Sequence, residues 1–200
     1  MKLISAGPSP FVRKVQVLLH ETGQTDDVEI VNVAMTPTKA NSEAVAANPA
    51  GKIPVLVREN GPALYDSRVI TRFFDDRAGA GLYPAAHLWE TLTLEATADA
   101  IMDAGVLMVY EYRVRPAEKV FDEWVKAQWG KIERSVTAVN ERWMSHLAGP
   151  LDMSHIAMGC ALGYLDFRHG DRDWRSRNDA LAAWYARFAE RESMRATPPG

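Results

Sequence analysis

The chain is poor in cysteine, in long apolar runs and in charge of one sign. Only one of its 200 residues, Cys160, is a cysteine. A lone thiol excludes an internal disulfide and any Cys-x-x-Cys metal or redox pair, which fits a reducing compartment. No apolar stretch is long enough to cross a bilayer, and the residues after Met1 hold too short an apolar segment for a signal peptide. The formal net charge is −3, so there is no basic footprint for nucleic acid or an anionic membrane. The five histidines, His20, His87, His146, His155 and His169, stand at no metal-ligand spacing. There is no Gly-rich phosphate loop and no G-x-S-x-G elbow. These absences point to a cytoplasmic protein that holds no metal and binds neither nucleic acid nor membrane. What is present is ordinary globular composition, 47% hydrophobic and 24% charged. That suffices for one or two domains with a sizeable core.

The order of patterns divides the chain in two. From residue 1 to 81, short β-type runs alternate with helical ones. Lys2 to Ser5 reads as a strand. Pro10 to Thr22 carries Phe11, Val15, Leu18 and Leu19 at helical spacing and stops at Gly23. Val28 to Val33 reads as a second strand and Asn41 to Asn48 as a short helix. Val55 to Arg58 and Ala63 to Tyr65 flank Asn60-Gly61, a hairpin signal. Ser67 then opens a helix with Val69, Ile70, Phe73 and Phe74 on its apolar side. From residue 82 to 200 there is no convincing strand. His87 to about Val114 is one long helix. Pro116 suits the first turn of another that runs to about Leu147. Asp152 caps a helix to about Phe167, and Asn178 to Arg191 is the last, followed by a loose Thr197-Pro198-Pro199-Gly200 tail. The expectation is a βαβαββα domain followed by an all-α bundle.

Three short segments carry chemistry. In Asn48-Pro49-Ala50-Gly51-Lys52-Ile53-Pro54-Val55-Leu56, a proline that cannot donate to a sheet ladder stands at a strand start. An Ile-Pro bond is readily cis, and a cis bond would turn the Ile53 amide and carbonyl outward. Those groups could then pair with an extended peptide as a sheet edge does. Ser9 precedes Pro10, so its hydroxyl lies beside the unpaired amides at a helix start, where an anion is stabilised. Ser5 is less well placed for that task. Asp66-Ser67 puts an acid and a hydroxyl at a strand-to-helix turn. The plainer reading of both serines and of Asp66 is helix capping, and for Lys52 a solvated loop side chain. Arg13, one turn beyond Ser9, either strengthens the positive field there or serves a structural or surface role.

These segments resemble the glutathione transferase superfamily, and Ser9-Pro10-Phe11-Val12-Arg13-Lys14-Val15 is similar to its omega- and theta-like bacterial members. The resemblance covers nearly the whole chain and implies a thioredoxin-like domain over 1–81, an all-α domain over 82–200, and a homodimer. It implies glutathione as co-substrate. Ser9 would hydrogen-bond the thiolate, Ile53 and Pro54 would meet the peptide, Lys52 the glycyl carboxylate, and Asp66 and Ser67 the γ-glutamyl end. The partner would be a hydrophobic electrophile, walled by Phe11, Met108, Tyr110, Tyr112 and Arg113. Serine in place of cysteine favours transfer of the thiol over disulfide reduction. A non-enzymatic scaffold of the stringent starvation protein type and a glutathione-dependent peroxidase are the alternatives. The family opens a buried helix with a Ser/Thr-x-x-Asp capping box, where this chain has Asp152 and His155. A histidine cannot act as the acid does, so the bonding there must differ. Cys160, on an apolar helix, reads as buried and inert.

Overall fold

A computed structural model describes residues 1–200. It contains three strands and nine α-helices: β1 (Lys2–Ser5), α1 (Pro10–Glu21), β2 (Glu29–Asn32), α2 (Ser42–Ala47), β3 (Val55–Val57), α3 (Ser67–Ala78), α4 (Leu88–Val114), α5 (Asp122–Arg142), α6 (Met144–Leu147), α7 (Met153–Arg168), α8 (Asp179–Phe188) and α9 (Glu192–Ala196). The sheet order is β2-β1-β3, with β1 parallel to β2 and antiparallel to β3. The expected fourth strand is reduced to one bridge, in which Leu56 and Leu64 exchange both 2.9 Å backbone bonds. Arg58 ties the turn by donating to the Pro62 carbonyl at 2.9 Å.

Helix ends follow their side chains. Ser9 caps α1, with Pro10 in its first turn, and Gly23 at φ 66° closes it. Asp66 caps α3, and Gly79 at φ 60° ends it in the left-handed region that glycine adopts without cost. Within α3, Ile70 and Phe74 are buried and Phe73 is half-buried, but Val69 is 45% exposed. It therefore does not share the core-facing side expected of it. The run expected from Pro116 to Leu147 is three pieces. A 3-10 turn at Ala117–Lys119 precedes α5, and α5 breaks at Trp143 before α6. The tail is not loose. Thr197 is buried and donates to the Ser193 carbonyl at 2.8 Å, and Gly200 lies against Gly7 so closely that Gly7 has no room for a side chain.

One core cluster of 36 buried residues includes Leu3, Leu18, Ile70 and Phe74 from the sheet half and Leu94, Ile101, Ile156 and Leu181 from the bundle. The two halves thus share their interior. α7 is buried along nearly its whole length and packs between α1 and α4.

Candidate functional site

Sheet register assembles the site. Ile4 pairs with Val55, so the loop after β1 and the turn before β3 emerge at one end. Leu64 runs antiparallel opposite Leu56, which carries Asp66 back beside Pro54. The Ile53–Pro54 peptide is cis, as is Tyr65–Asp66. Asn48 braces the loop: its side chain donates to the Lys52 carbonyl at 2.9 Å and accepts from the Ala50 amide at 3.0 Å. Gly51 turns the chain at φ 60°. The Ile53 amide and carbonyl join no backbone ladder.

Ser9 Oγ accepts from the Val12 amide at 3.3 Å, which leaves its own proton free to donate at the positive end of α1. At α3, Asp66 accepts from the Arg68 amide at 3.0 Å and pairs with its guanidinium at 2.9 Å. Burial alone would raise the Asp66 carboxyl, but the Arg68 hydrogen bonds outweigh it and hold it below its ordinary value. Ser67 is buried at the first position of α3. Lys52 is exposed.

Beneath these residues lies a charged layer that motif reading did not find. Lys14 is fully buried and donates to Asp99 at 2.7 Å and Glu95 at 3.0 Å. Burial works against its charge, yet the two carboxylates hold the ammonium above the usual lysine value. Tyr83 donates to Glu95 at 3.2 Å, and Arg68 reaches within 3.8 Å of Asp99. One turn on, Asp103 neighbours Lys52, Arg68 and Asp66; burial, with Asp99, pushes its carboxyl up. Glu95, Asp99 and Asp103 form an i, i+4 acidic stripe on a helix with many apolar residues. That stripe is the signal that could have revealed them.

The structure gathers Ser9, Lys52, Ile53, Pro54, Asp66 and Ser67 at one end of the sheet. The expected acceptor residues are more scattered. Phe11 and Tyr110 are half-buried, Met108 is packed in the core at 1% exposure, Arg113 is exposed, and Tyr112 is exposed with its hydroxyl 3.3 Å from Asp122. Arg13 is not a surface residue: it is buried and donates to the Met194 carbonyl at 3.0 Å. Ser5 is buried, and its hydroxyl has no partner. Burial pushes the Cys160 thiol up to about 11, as an inert cysteine requires. His155 does complete a capping box after all, with an imidazole in place of the acid. Its Nδ1 stands 2.8 Å from Asp152 Oδ1 and 3.3 Å from the Asp152 amide. His146 joins at 2.8 Å from Asp152 Oδ2, so His146, Asp152 and His155 converge although their spacing in the chain gives no metal signature. One shallow concavity lies on α4 around Trp89 and another beside α6 and α8; neither includes Ser9.

The fold and site define a thioredoxin-like sheet domain fused to a helical bundle, with a peptide-edge and helix-terminus binding place on the sheet side. Residues 8–77 match the family described as Glutathione S-transferase, N-terminal domain, and residues 122–187 match Glutathione S-transferase, C-terminal domain. The GST-like protein YibF of Escherichia coli K12, itself uncharacterised, is 34% identical over 205 residues, spanning 100% of this chain and 98% of its own. A glutathione transferase family member from Pseudomonas fluorescens Pf-5, solved with bound glutathione, is 44% identical with TM-score 0.96 over 100% of this chain and 98% of that one. A structure of a Pf-5 family member with bound S-(propanoic acid)-glutathione gives 43%, TM-score 0.91 and full coverage of both chains. The chain belongs to the glutathione S-transferase family.

Proposed function

We propose that this protein is a cytoplasmic glutathione transferase that joins the glutathione thiolate to an electrophilic small molecule. The observation that carries the reading is the free Ile53 main chain beside Pro54, facing Asp66 and Ser67 at the start of α3. Glutathione pairs with Ile53 as an added strand segment. Its ammonium meets Asp66, its γ-glutamyl carboxylate meets Ser67 and the α3 N-terminus, and its glycyl carboxylate meets Lys52. Ser9 donates to the sulfur. A free thiol has a pKa of about 8.5, so only a small fraction is thiolate at neutral pH. The Ser9 hydroxyl and the α1 N-terminus lower that value, and each unit raises the thiolate fraction several-fold. Similar chains solved with bound glutathione or a glutathione thioether support glutathione as the ligand. The Ser9-Pro10-Phe11 junction supports kinship with omega- and theta-like members.

The working form in this reading is a homodimer. Support comes from exposed apolar side chains, Val69 at 45% on α3 and Trp89 at 76% on α4, where Trp89 lines a shallow concavity of about 510 Å³ with Leu92, Ala96 and Ala100. Isothermal titration with glutathione and S-methyl-glutathione tests the site. Binding of both, in the micromolar to low millimolar range, is expected. A folded protein that binds neither would instead be a transferase-like scaffold.

A further inference from the structure

The cap of α7 leaves one polar atom unexplained. Against burial, hydrogen bonds from His155, Ser154 and Thr91 keep the Asp152 carboxyl ionised, so it can only accept. His155 Nδ1, 2.8 Å from Asp152 Oδ1, therefore carries a proton and donates it. The neutral ring then presents Nε2 as a bare lone pair on its other edge. That atom is shielded from solvent and has no hydrogen-bond partner. The donors around it are spent. Trp184 Nε1 donates to the Leu147 carbonyl at 2.9 Å, the Ser154 hydroxyl to Asp152 at 2.5 Å, and His146 Nε2 stands 2.8 Å from the other Asp152 oxygen. Capping uses Nδ1 and does not account for Nε2. A buried polar atom left bare costs stability and calls for a partner.

His155 also lines a concavity of about 380 Å³ between α6, the start of α7 and α8, a volume within the range of small-molecule sites. The apolar walls are Met144, Leu147, Leu151, Trp184 and Phe188. The Trp184 and Phe188 rings are stacked, 4.8 Å between centres and 20° between planes, and so present flat aromatic surface. The imidazole is the buried polar group of this lining. Arg191, also on it, is exposed, lies over the Phe188 ring and is already paired with Glu21 at 2.7 Å. Glu21 ends α1 and Ser9 caps its start. The Arg191 edge of the concavity thus stands at the far end of a twelve-residue helix from Ser9, about 18 Å along its axis.

We infer that this concavity binds a neutral aromatic hydroxy compound, a phenol or naphthol, whose ring lies against Trp184 and Phe188 and whose hydroxyl donates to His155 Nε2. The site is separate from the one around Ser9, and the inference does not rest on the transferase reading. A hydroxyl gives the imidazole the partner it lacks. A hydrocarbon or ether of the same shape fills the walls but leaves Nε2 bare, and a site built to bond a hydroxyl discriminates against an analogue without one.

The test titrates the full chain with 1-naphthol and with 1-methoxynaphthalene, which keeps the rings and the oxygen but has no proton to donate. Each titration is run with and without saturating S-hexyl-glutathione, whose alkyl chain fills the space beside Ser9. Naphthol is expected to bind saturably and about tenfold tighter than the ether, the scale of one hydrogen bond to an otherwise bare buried atom. It should also move the ring-nitrogen NMR signal of His155, and the ether should not. His155→Gln can still close the capping box and should bring the affinity ratio toward one. Ala148→Phe, at an exposed position that lines the concavity, should weaken both compounds by blocking it. Equal affinities, or no saturable binding of naphthol to the folded protein, overturn the inference. Naphthol binding that S-hexyl-glutathione abolishes places the compound beside Ser9 and overturns it as well. A ratio that persists in His155→Gln overturns the assignment to His155.

Discussion

Ser9 holds two positions at once, cap of α1 and proposed partner of the thiolate, and substitution separates them by different readouts. Ser9→Ala removes the acceptor for the Val12 amide and should cost about 1 kcal/mol of stability, too little to unfold the chain. Its larger effect should be an upward shift of the pH midpoint of conjugation, read from initial rates across pH 6 to 9. An unchanged profile would take Ser9 out of the mechanism and leave it a cap. Asp66 divides differently. Asp66→Asn keeps an oxygen for the Arg68 amide but loses the charge that is to meet the ligand ammonium. Glutathione affinity should fall roughly ten- to a hundredfold, the scale of a charged hydrogen bond, while the ultraviolet titration of bound thiolate stays near that of the wild type. Calorimetric affinity equal to the wild type would refute the assignment.

At the scale of elements, the clearest pH dependence belongs to the cap of α7. Burial would raise the Asp152 carboxyl, but hydrogen bonds from His155, Ser154 and Thr91 reverse this and hold it far below the ordinary carboxylate range. A carboxyl depressed by folding stabilises the protein above its unfolded value of about 3.9 and loses that contribution as the pH falls toward its folded value. Asp152→Ala should therefore cost about 2–3 kcal/mol at pH 7, more than an ordinary cap because Thr91 and the two histidines also lose their acceptor. The gap to the wild type in urea unfolding should narrow below pH 4; a gap constant with pH would mean that packing, not charge, is what the variant loses. This cap was legible in the chain as Asp152 ahead of an apolar run, as were Ser9-Pro10 for α1 and Asp66-Ser67 for α3, because capping is local. Less was legible where tertiary contact decides. The hairpin shrank to the Leu56–Leu64 bridge, Trp143 split a helix that periodicity would continue, and α9 is too short to show a period. The turn at Lys52-Ile53-Pro54 and the helix start at Asp66-Ser67 were readable because their motifs are contiguous. Met108 was not, since helical spacing cannot distinguish a side chain in the core from one lining a pocket.

The whole molecule depends on a contact that no motif marks. Lys14 projects from the sheet half into α4, where Glu95 and Asp99 take its ammonium out of water, and the 36-residue core runs across the same seam. Two stretches with different patterns need not be two folding units, and a shared core argues that they unfold as one. Lys14→Ala should cost about 3–5 kcal/mol, because it leaves two buried carboxylates without the ammonium that offsets their charge. Replacing all three residues, as Lys14→Met with Glu95→Leu and Asp99→Leu, should recover much of that loss, since a buried ionic group is often no more stabilising than an apolar one of similar volume. All six tryptophans, from Trp89 to Trp184, lie in the helical half, so their emission reports that half, while amide exchange in β1 reports the other. Coincident transitions in the wild type and in Lys14→Ala would establish a single cooperative unit. Exchange of the β1 amides at denaturant concentrations where tryptophan emission is still native would mean that the sheet half opens alone, and that the Lys14 layer latches two bodies instead of tying one.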